Sequence, residues 1–149
     1  MPISECCTVD AVCCAPDTAI ADVAALMRKH HVGDVVVVRQ EGALRIPVGI
    51  VTDRDIVLET IALQVDATAF SAGDLMSSPL VAVGFDSGFI QTLRLMRGNL
   101  VRRLPVIAQD GSLFGIVSAD DIVKLLALEI SLITETIDEQ RLLEVRSRP

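Results

Sequence analysis

The sequence predicts an α/β chain made of two copies of one unit. Each copy is ordered strand, helix, strand, strand, helix, and an extended helix follows at the C-terminal end. Three observations predict this. GIVTDRDIV at Gly49–Val57 returns as GIVSADDIV at Gly115–Val123, an offset of 66 residues. DTAIADVAALM (Asp17–Met27) lies against DSGFIQTLRLM (Asp86–Met96), and HVGDVVVV (His31–Val38) against LVRRLPVI (Leu100–Ile107), both at an offset of 69. The offset changes by three because RQEGALRIPVG in the first copy is three residues longer than AQDGSLFG in the second. A length difference confined to a loop is what a structural duplication produces. The period lies outside the short solenoid repeats, so the units are duplicated half-domains.

The elements follow in order. Asp17 and Thr18 are candidate N-caps, because their side-chain oxygens can accept from free backbone N–H groups. Ile20, Val23, Ala24 and Met27 then keep helical spacing, and His30–Gly33 closes that helix. Val35–Val38 is a continuous β-branched run and reads as a strand buried on both faces. Gln40-Glu41-Gly42 turns the chain, and Val48–Val51 returns as a second strand. Thr52 opens the next helix, with Asp53 and Asp55 in its first turn, where carboxylates suit the dipole. The second copy repeats the order: caps at Asp86 and Ser87, a helix to about Gly98, strands at Leu104–Ala108 and Leu113–Val117 around Asp110-Gly111, and a helix from Ser118. Gln64–Gly73 is a short connection, too short for independently tumbling domains. The boundaries expected are 5–65 for the first repeat, 66–128 for the second and 129–149 for the helical extension. Along that extension Ile122, Leu125, Leu126, Ile130, Ile133 and Ile137 recur at a spacing of 3–4, and their exposed apolar side chains call for cover from a second chain.

Bulk properties narrow the function. The chain has 149 residues, 51% of them hydrophobic and none of them Trp or Tyr, so its core is expected to be mostly Val, Ile, Leu and Ala. A net charge of −7 argues against a general binder of nucleic acid or of anionic membranes. It leaves room for a small anionic ligand held by a few arginines. No apolar run reaches the ~18 residues of a spanning helix. Met1-Pro2-Ile3-Ser4-Glu5 lacks the basic-then-apolar pattern of a secretory signal, so the expected location is cytoplasmic. No P-loop, G-x-S-x-G or H-E-x-x-H occurs, and the expectation is a protein that is not an enzyme.

Cys6-Cys7 and Cys13-Cys14 lack the C-x2-C spacing that sets two thiolates on one metal ion. At the offset of 69 their counterparts are Leu75, Met76, Ala82 and Val83, all apolar. Core filling is therefore the better reading, with redox or soft-metal sensing as the alternative. His30 and His31 sit where a helix C-terminus favours a cation. No metal site is expected.

Two β-α-β-β-α copies, each closing on Gly-apolar-apolar-Thr/Ser-x-x-Asp-apolar, resemble the cystathionine β-synthase (CBS) domain, whose tandem pair is called a Bateman module. The resemblance covers nearly the whole chain except the last helix. It implies repeats packed through their sheets around a pseudo-twofold axis, with two clefts that often hold adenosine nucleotides or related adenosyl compounds. It implies a stand-alone regulatory module that senses such a ligand (AMP, ADP, ATP or S-adenosylmethionine), forms a homodimer and signals to an unknown partner protein. The alternative is a ligand-free dimerisation or interaction module. Carried onto this sequence, one cleft uses Ser118 and Asp121 and the other Thr52 and Asp55. The Asp would accept from both ribose hydroxyls, with the Ser or Thr hydroxyl facing the same ligand. The same Asp can equally serve as a helix cap. Arg102-Arg103 resembles a phosphate-holding basic pair, expected to serve the Ser118–Asp121 cleft, although it can also be a solvated surface pair. The first copy has Gly33-Asp34 in its place, with Arg54 as the compensating cation beside Asp55. The Ser118–Asp121 cleft is accordingly the one expected to bind more tightly.

Overall fold

The β-branched run before Gln40 becomes the centre of a sheet. The computed structural model describes residues 1–148; Pro149, the last residue of the expected extension, lies outside the described residues. Strand β2 (Asp34–Glu41) pairs parallel with β1 (Cys13–Cys14) and antiparallel with β3 (Leu44–Thr52). The second copy repeats this with β5 (Arg103–Ile107) between β4 (Val83–Gly84) and β6 (Leu113–Ser118). Both central strands carry a bulge at equivalent places, after Val37 and after Val106. Val35, Val36 and Val37 are fully buried, as a strand covered on both faces requires. Val35 and Val37 face their own helices, while Val36 points to the opposite side. There the two sheets approach, with β3 against β6. The first hairpin is longer than predicted and turns at Gly42, whose φ of 61° favours a residue without a side chain.

Helices α1 (Ile20–His30) and α4 (Phe89–Asn99) cover the sheets through Ile20, Val23 and Met27, and through Thr92 and Met96. Their caps differ from the expectation. Neither Asp17/Thr18 nor Asp86/Ser87 caps a helix: the N-cap residues are Ala19 and Gly88, and neither makes a side-chain cap bond. Thr18 Oγ1 instead accepts from the Ala15 N–H at 3.1 Å. Each start is held from outside, because Ala19 bridges to Ser71 and Gly88 bridges to Pro2. The first amide of α1, on Ile20, donates to the Phe70 carbonyl.

Those bridges belong to two crossed arms. The N-terminal arm crosses onto the second repeat, and the connecting arm folds back onto the first. The Ile3 N–H donates to Ser87 O at 2.7 Å, and its equivalent Ala72 N–H donates to Thr18 O at 2.8 Å. Ser4 to Phe85 matches Gly73 to Pro16, and Thr8 to Ile116 matches Ser77 to Ile50. Ile3 is completely buried in the core with Leu104, Val106 and Ile122, while Ala72 is completely buried with Val23, Val35 and Val51. The short helices Ile3–Glu5 and α3 (Ala72–Leu75) carry these anchors. In space, the expected division at residues 65 and 66 is crossed twice. The arms also account for the glycine of the repeated motif. A Cβ on Gly115 would stand 2.5 Å from the Thr8 carbonyl oxygen, and one on Gly49 would stand 2.5 Å from Met76 Sδ.

The cysteines follow the same symmetry. Cys6 and Cys7 pack against the second core where Leu75 and Met76 pack against the first. Cys14 is buried, and burial is the largest influence raising all four thiols above their ordinary range. Such thiols carry little of the thiolate that redox and metal chemistry need. Among the described residues no cluster of His, Cys, Asp and Glu suited to a metal ion occurs. Replacing Cys6, Cys7 and Cys13 by alanine and Cys14 by valine is expected to leave the secondary structure unchanged. Circular dichroism checks this, and bound zinc lost with those changes would overturn it.

After β3 the chain runs through α2 (Asp53–Ile56) into a π-helical turn at Val57–Ile61. After β6, α5 runs unbroken over Ala119–Ser147. Of the apolar stripe predicted on it, Ile122 is buried, Leu125 and Leu126 are half-buried, and Ile130, Ile133 and Ile137 are exposed. Leu128, Leu132, Leu142, Leu143 and Val145 are exposed as well, so the bare apolar surface is broader than one stripe. No helix among the described residues is long and apolar enough to cross a membrane.

Candidate ligand clefts

Each repeated motif places a strand end, a cap and a carboxylate within one turn. Thr52 is the N-cap of α2, and its hydroxyl accepts from the Asp55 N–H at 3.2 Å. Asp55 Oδ2 in turn accepts from the Thr52 N–H and from the Thr52 hydroxyl, both at 2.8 Å. Ser118 and Asp121 repeat the arrangement at 3.1, 2.9 and 2.7 Å. This is a reciprocal capping box, which satisfies amides that the helix leaves without partners. In this arrangement the hydroxyl protons of Thr52 and Ser118 go to the carboxylates. Each carboxylate keeps a second oxygen. Oδ1 of Asp55 and of Asp121 makes no hydrogen bond within the described residues, and a carboxylate oxygen can accept from two donors.

Both motifs open on a cleft. The Ser118–Asp121 cleft has a volume of about 350 Å³, and the Thr52–Asp55 cleft about 390 Å³. Each is built from both repeats and from an arm. Ser118 and Asp121 face His31, Gly33 and Asp34 of the first repeat, with Thr8 from the N-terminal arm. Thr52 and Asp55 face Leu100, Val101, Arg102 and Arg103 of the second repeat, with Ser77 from the connecting arm. This corrects the pairing expected from the sequence. Arg102 lines the Thr52–Asp55 cleft and not the other, while Arg103 lies between the clefts and lines both. Gly33 and Asp34 belong with Ser118 and Asp121. Arg54 also lines the Thr52–Asp55 cleft. Each strand start pairs with the motif of its own repeat, Asp34 opposite Thr52 and Arg103 opposite Ser118, and the twofold packing sets it against the motif of the other repeat as well.

The clefts therefore differ in charge, in the opposite sense to the expectation. The Thr52–Asp55 cleft sets Arg54, Arg102 and Arg103 against Asp53 and Asp55. The Ser118–Asp121 cleft sets Asp10, Asp34, Asp120 and Asp121 against Arg103 and Lys124. Two ion pairs join the clefts. Arg102 lies 3.4 Å from Asp120, with both side chains well exposed, and such pairs are worth little. Arg103 Nε donates to Asp34 Oδ2 at 2.6 Å, with the Asp34 side chain only 12% exposed. Residues 34 and 103 are each other's counterparts at the offset of 69, so this pair sits on the pseudo-twofold axis.

Asp34 titrates above the ordinary carboxylate range. Burial is the main cause; Asp53 and Asp121 push the same way, and Arg103 opposes them. A carboxyl raised in the folded state contributes stability below its unfolded pKa, and that contribution is lost as pH rises through the folded value. Asp34→Asn is expected to flatten this part of the profile: the variant's stability relative to the natural protein rises as pH climbs from about 4. Urea unfolding at a series of pH values checks it.

Several lining residues escaped the sequence reading. His31 and Leu100 are equivalent C-cap residues in the left-handed region, with φ of 54° and 55°. Leu100 is 93% exposed at the mouth of the Thr52–Asp55 cleft. Their signal was present in the alignment of the two copies, where both follow a helix end and precede the central strand. Thr8, Ser77, Asp10 and Lys124 carried no comparable signal.

Two intertwined β-α-β-β-α repeats with paired clefts at their strand ends define a tandem-repeat module of the Bateman type. The family model for the CBS domain matches residues 3–60 and again 72–128, and the chain belongs to that family. Both matched ranges begin at the crossed arms. Among relatives, the uncharacterized protein MK0525 of Methanopyrus kandleri is 32% identical over 77% of this chain, and the chain spans 57% of that protein's length. The solved structure of a hexameric CBS-CP12 protein from bloom-forming cyanobacteria is 29% identical, with a TM-score of 0.73 over 83% of this chain and 69% of that one. The CBS domain pair of protein MJ0100, solved in complex with 5′-methylthioadenosine and S-adenosyl-L-methionine, shares the fold at 18% identity, with a TM-score of 0.75 over 87% of this chain and 98% of that one.

Proposed function

We propose that this CBS pair is a regulatory module that binds an adenosine nucleotide in the Thr52–Asp55 cleft. The observation that carries the reading is the juxtaposition there of an unengaged carboxylate oxygen and three guanidinium groups. Asp55 Oδ1 accepts from the ribose hydroxyls. Phosphate meets Arg102, Arg103 and Arg54, where guanidinium forks match its geometry. The base lies against Ile50, Leu100 and Val101. The complex of the MJ0100 pair with two adenosyl compounds supports the ligand class for this fold. The Ser118–Asp121 cleft, with its excess of carboxylates, takes an adenosyl compound without phosphate, such as S-adenosylmethionine, through Asp121. The module has no catalytic step of its own and acts in the cytoplasm, away from nucleic acid and membrane, on a partner protein. Mass spectrometry of the natively purified protein tests the reading. A bound adenosyl mass released on denaturation is the expected result; a protein that carries none and gains none from millimolar AMP would favour the ligand-free interaction module.

The assembly is a homodimer held by α5. The exposed Leu and Ile side chains along it support this, and the hexameric CBS-CP12 structure shows that a relative self-associates. Removing residues 131–149 is expected to shift the protein toward monomer in light scattering at tens of micromolar, a range set by ordinary dimer affinities. A full-length protein that is already monomeric there would contradict the proposal.

A further inference from the structure

The two clefts share one guanidinium. Arg103 lines both, and its one strong partner, Asp34, lines only the Ser118–Asp121 cleft. A phosphate in the Thr52–Asp55 cleft competes with Asp34 for that guanidinium. Asp34 is largely buried, at 12% side-chain exposure, and it shares its cleft with Asp10, Asp120 and Asp121. Drawing Arg103 toward a phosphate therefore leaves an unpaired carboxylate facing the second cleft. A carboxylate left in that state either takes up a proton or is offset by a cation, and a cationic ligand in the second cleft does the latter.

We infer that Arg103 and Asp34 couple the clefts: an anionic nucleotide in the Thr52–Asp55 cleft strengthens binding of a cationic adenosyl ligand, and weakens binding of an anionic one, in the Ser118–Asp121 cleft. The coupling rests on the nucleotide-binding reading above and adds to it the sign of the communication between sites. Linkage makes the effect reciprocal, so the cationic ligand strengthens AMP binding by the same factor. The module then responds to the two ligands together more steeply than to either alone. The twofold supplies the geometry, because it brings an acid and a base at equivalent positions into contact on its axis.

The test is calorimetric titration of S-adenosylmethionine, which carries a net positive charge, into the full-length protein with and without saturating AMP. The natural protein is expected to bind S-adenosylmethionine about five- to tenfold more tightly with AMP present, a usual size for such coupling. Asp34→Asn keeps the side-chain shape and is expected to lose that gain while still binding AMP. Arg103→Gln breaks the pair from the other side and is expected to lose it too. An unchanged or weakened affinity in the natural protein, a gain that survives in both variants, or AMP binding without any S-adenosylmethionine binding would overturn the coupling and leave the nucleotide reading standing. If neither ligand binds, both fall together.

Discussion

An Ile3→Ala variant is expected to lose about 2–5 kcal/mol of stability, the usual cost of emptying a fully buried aliphatic site. For a chain of this size that corresponds to a fall in melting temperature on the order of 10 °C. Residues this close to a chain end are ordinarily among the most tolerant positions. Ile3 differs because it is completely buried in the core of the second repeat and because its own amide is anchored on Ser87. Ser4→Ala, one residue on, is the control and is expected to cost little, since only the backbone of Ser4 is engaged. Dye-based thermal melting separates the two, as the absence of Trp and Tyr removes the usual fluorescence signal. Equal melting temperatures for Ile3→Ala and the natural protein would show that the arm does not complete the core.

Gly115→Ala is the second large effect expected. The new methyl group would meet the Thr8 carbonyl oxygen at 2.5 Å and the Val9 Cα at 3.2 Å, so the obstacle is backbone. Either the arm or β6 has to move, and overpacking of this kind costs about 1–3 kcal/mol or more. Gly49→Ala, its counterpart, meets the side chain of Met76. A methionine has rotatable bonds with which to give way, so this change is expected to cost less. The order of the two melting temperatures checks the argument. Gly115→Ala also displaces Thr8 from the rim of the Ser118–Asp121 cleft, so binding there is expected to weaken along with stability.

The repeats, their strand order and the carboxylates of the motif were legible because duplication preserves spacing, and spacing survives as an offset of 66 or 69 along the chain. The crossed arms were not legible. Ile3 finds Leu104 and Val106 across about a hundred residues of sequence, and nothing local to either segment records the pairing. Their only trace was indirect: Cys6 and Cys7 aligned with Leu75 and Met76, which marked these positions as core without saying whose core. The helix caps failed for a related reason. Asp17, Thr18, Asp86 and Ser87 are suitable capping residues, but the arms already satisfy the helix starts through the backbone. The arginines show the limit most clearly. Alignment of the copies says that Arg102 and Arg103 are equivalent to Gly33 and Asp34. It does not say which cleft they line: with residue 34 against residue 103, Arg102 lines the Thr52–Asp55 cleft while its side chain pairs with Asp120, beside Asp121.

The central claim is that the Thr52–Asp55 cleft is the nucleotide site. Titration calorimetry of AMP into the natural protein, Asp55→Ala and Asp121→Ala tests it most directly. Each substitution also removes a capping box and costs about 1 kcal/mol of stability, so loss of the cap is common to both and cannot explain a difference between them. The predicted result is AMP binding in the natural protein and in Asp121→Ala, with a loss of at least tenfold in Asp55→Ala. Binding abolished by Asp121→Ala and untouched by Asp55→Ala would place the nucleotide in the other cleft and contradict the assignment.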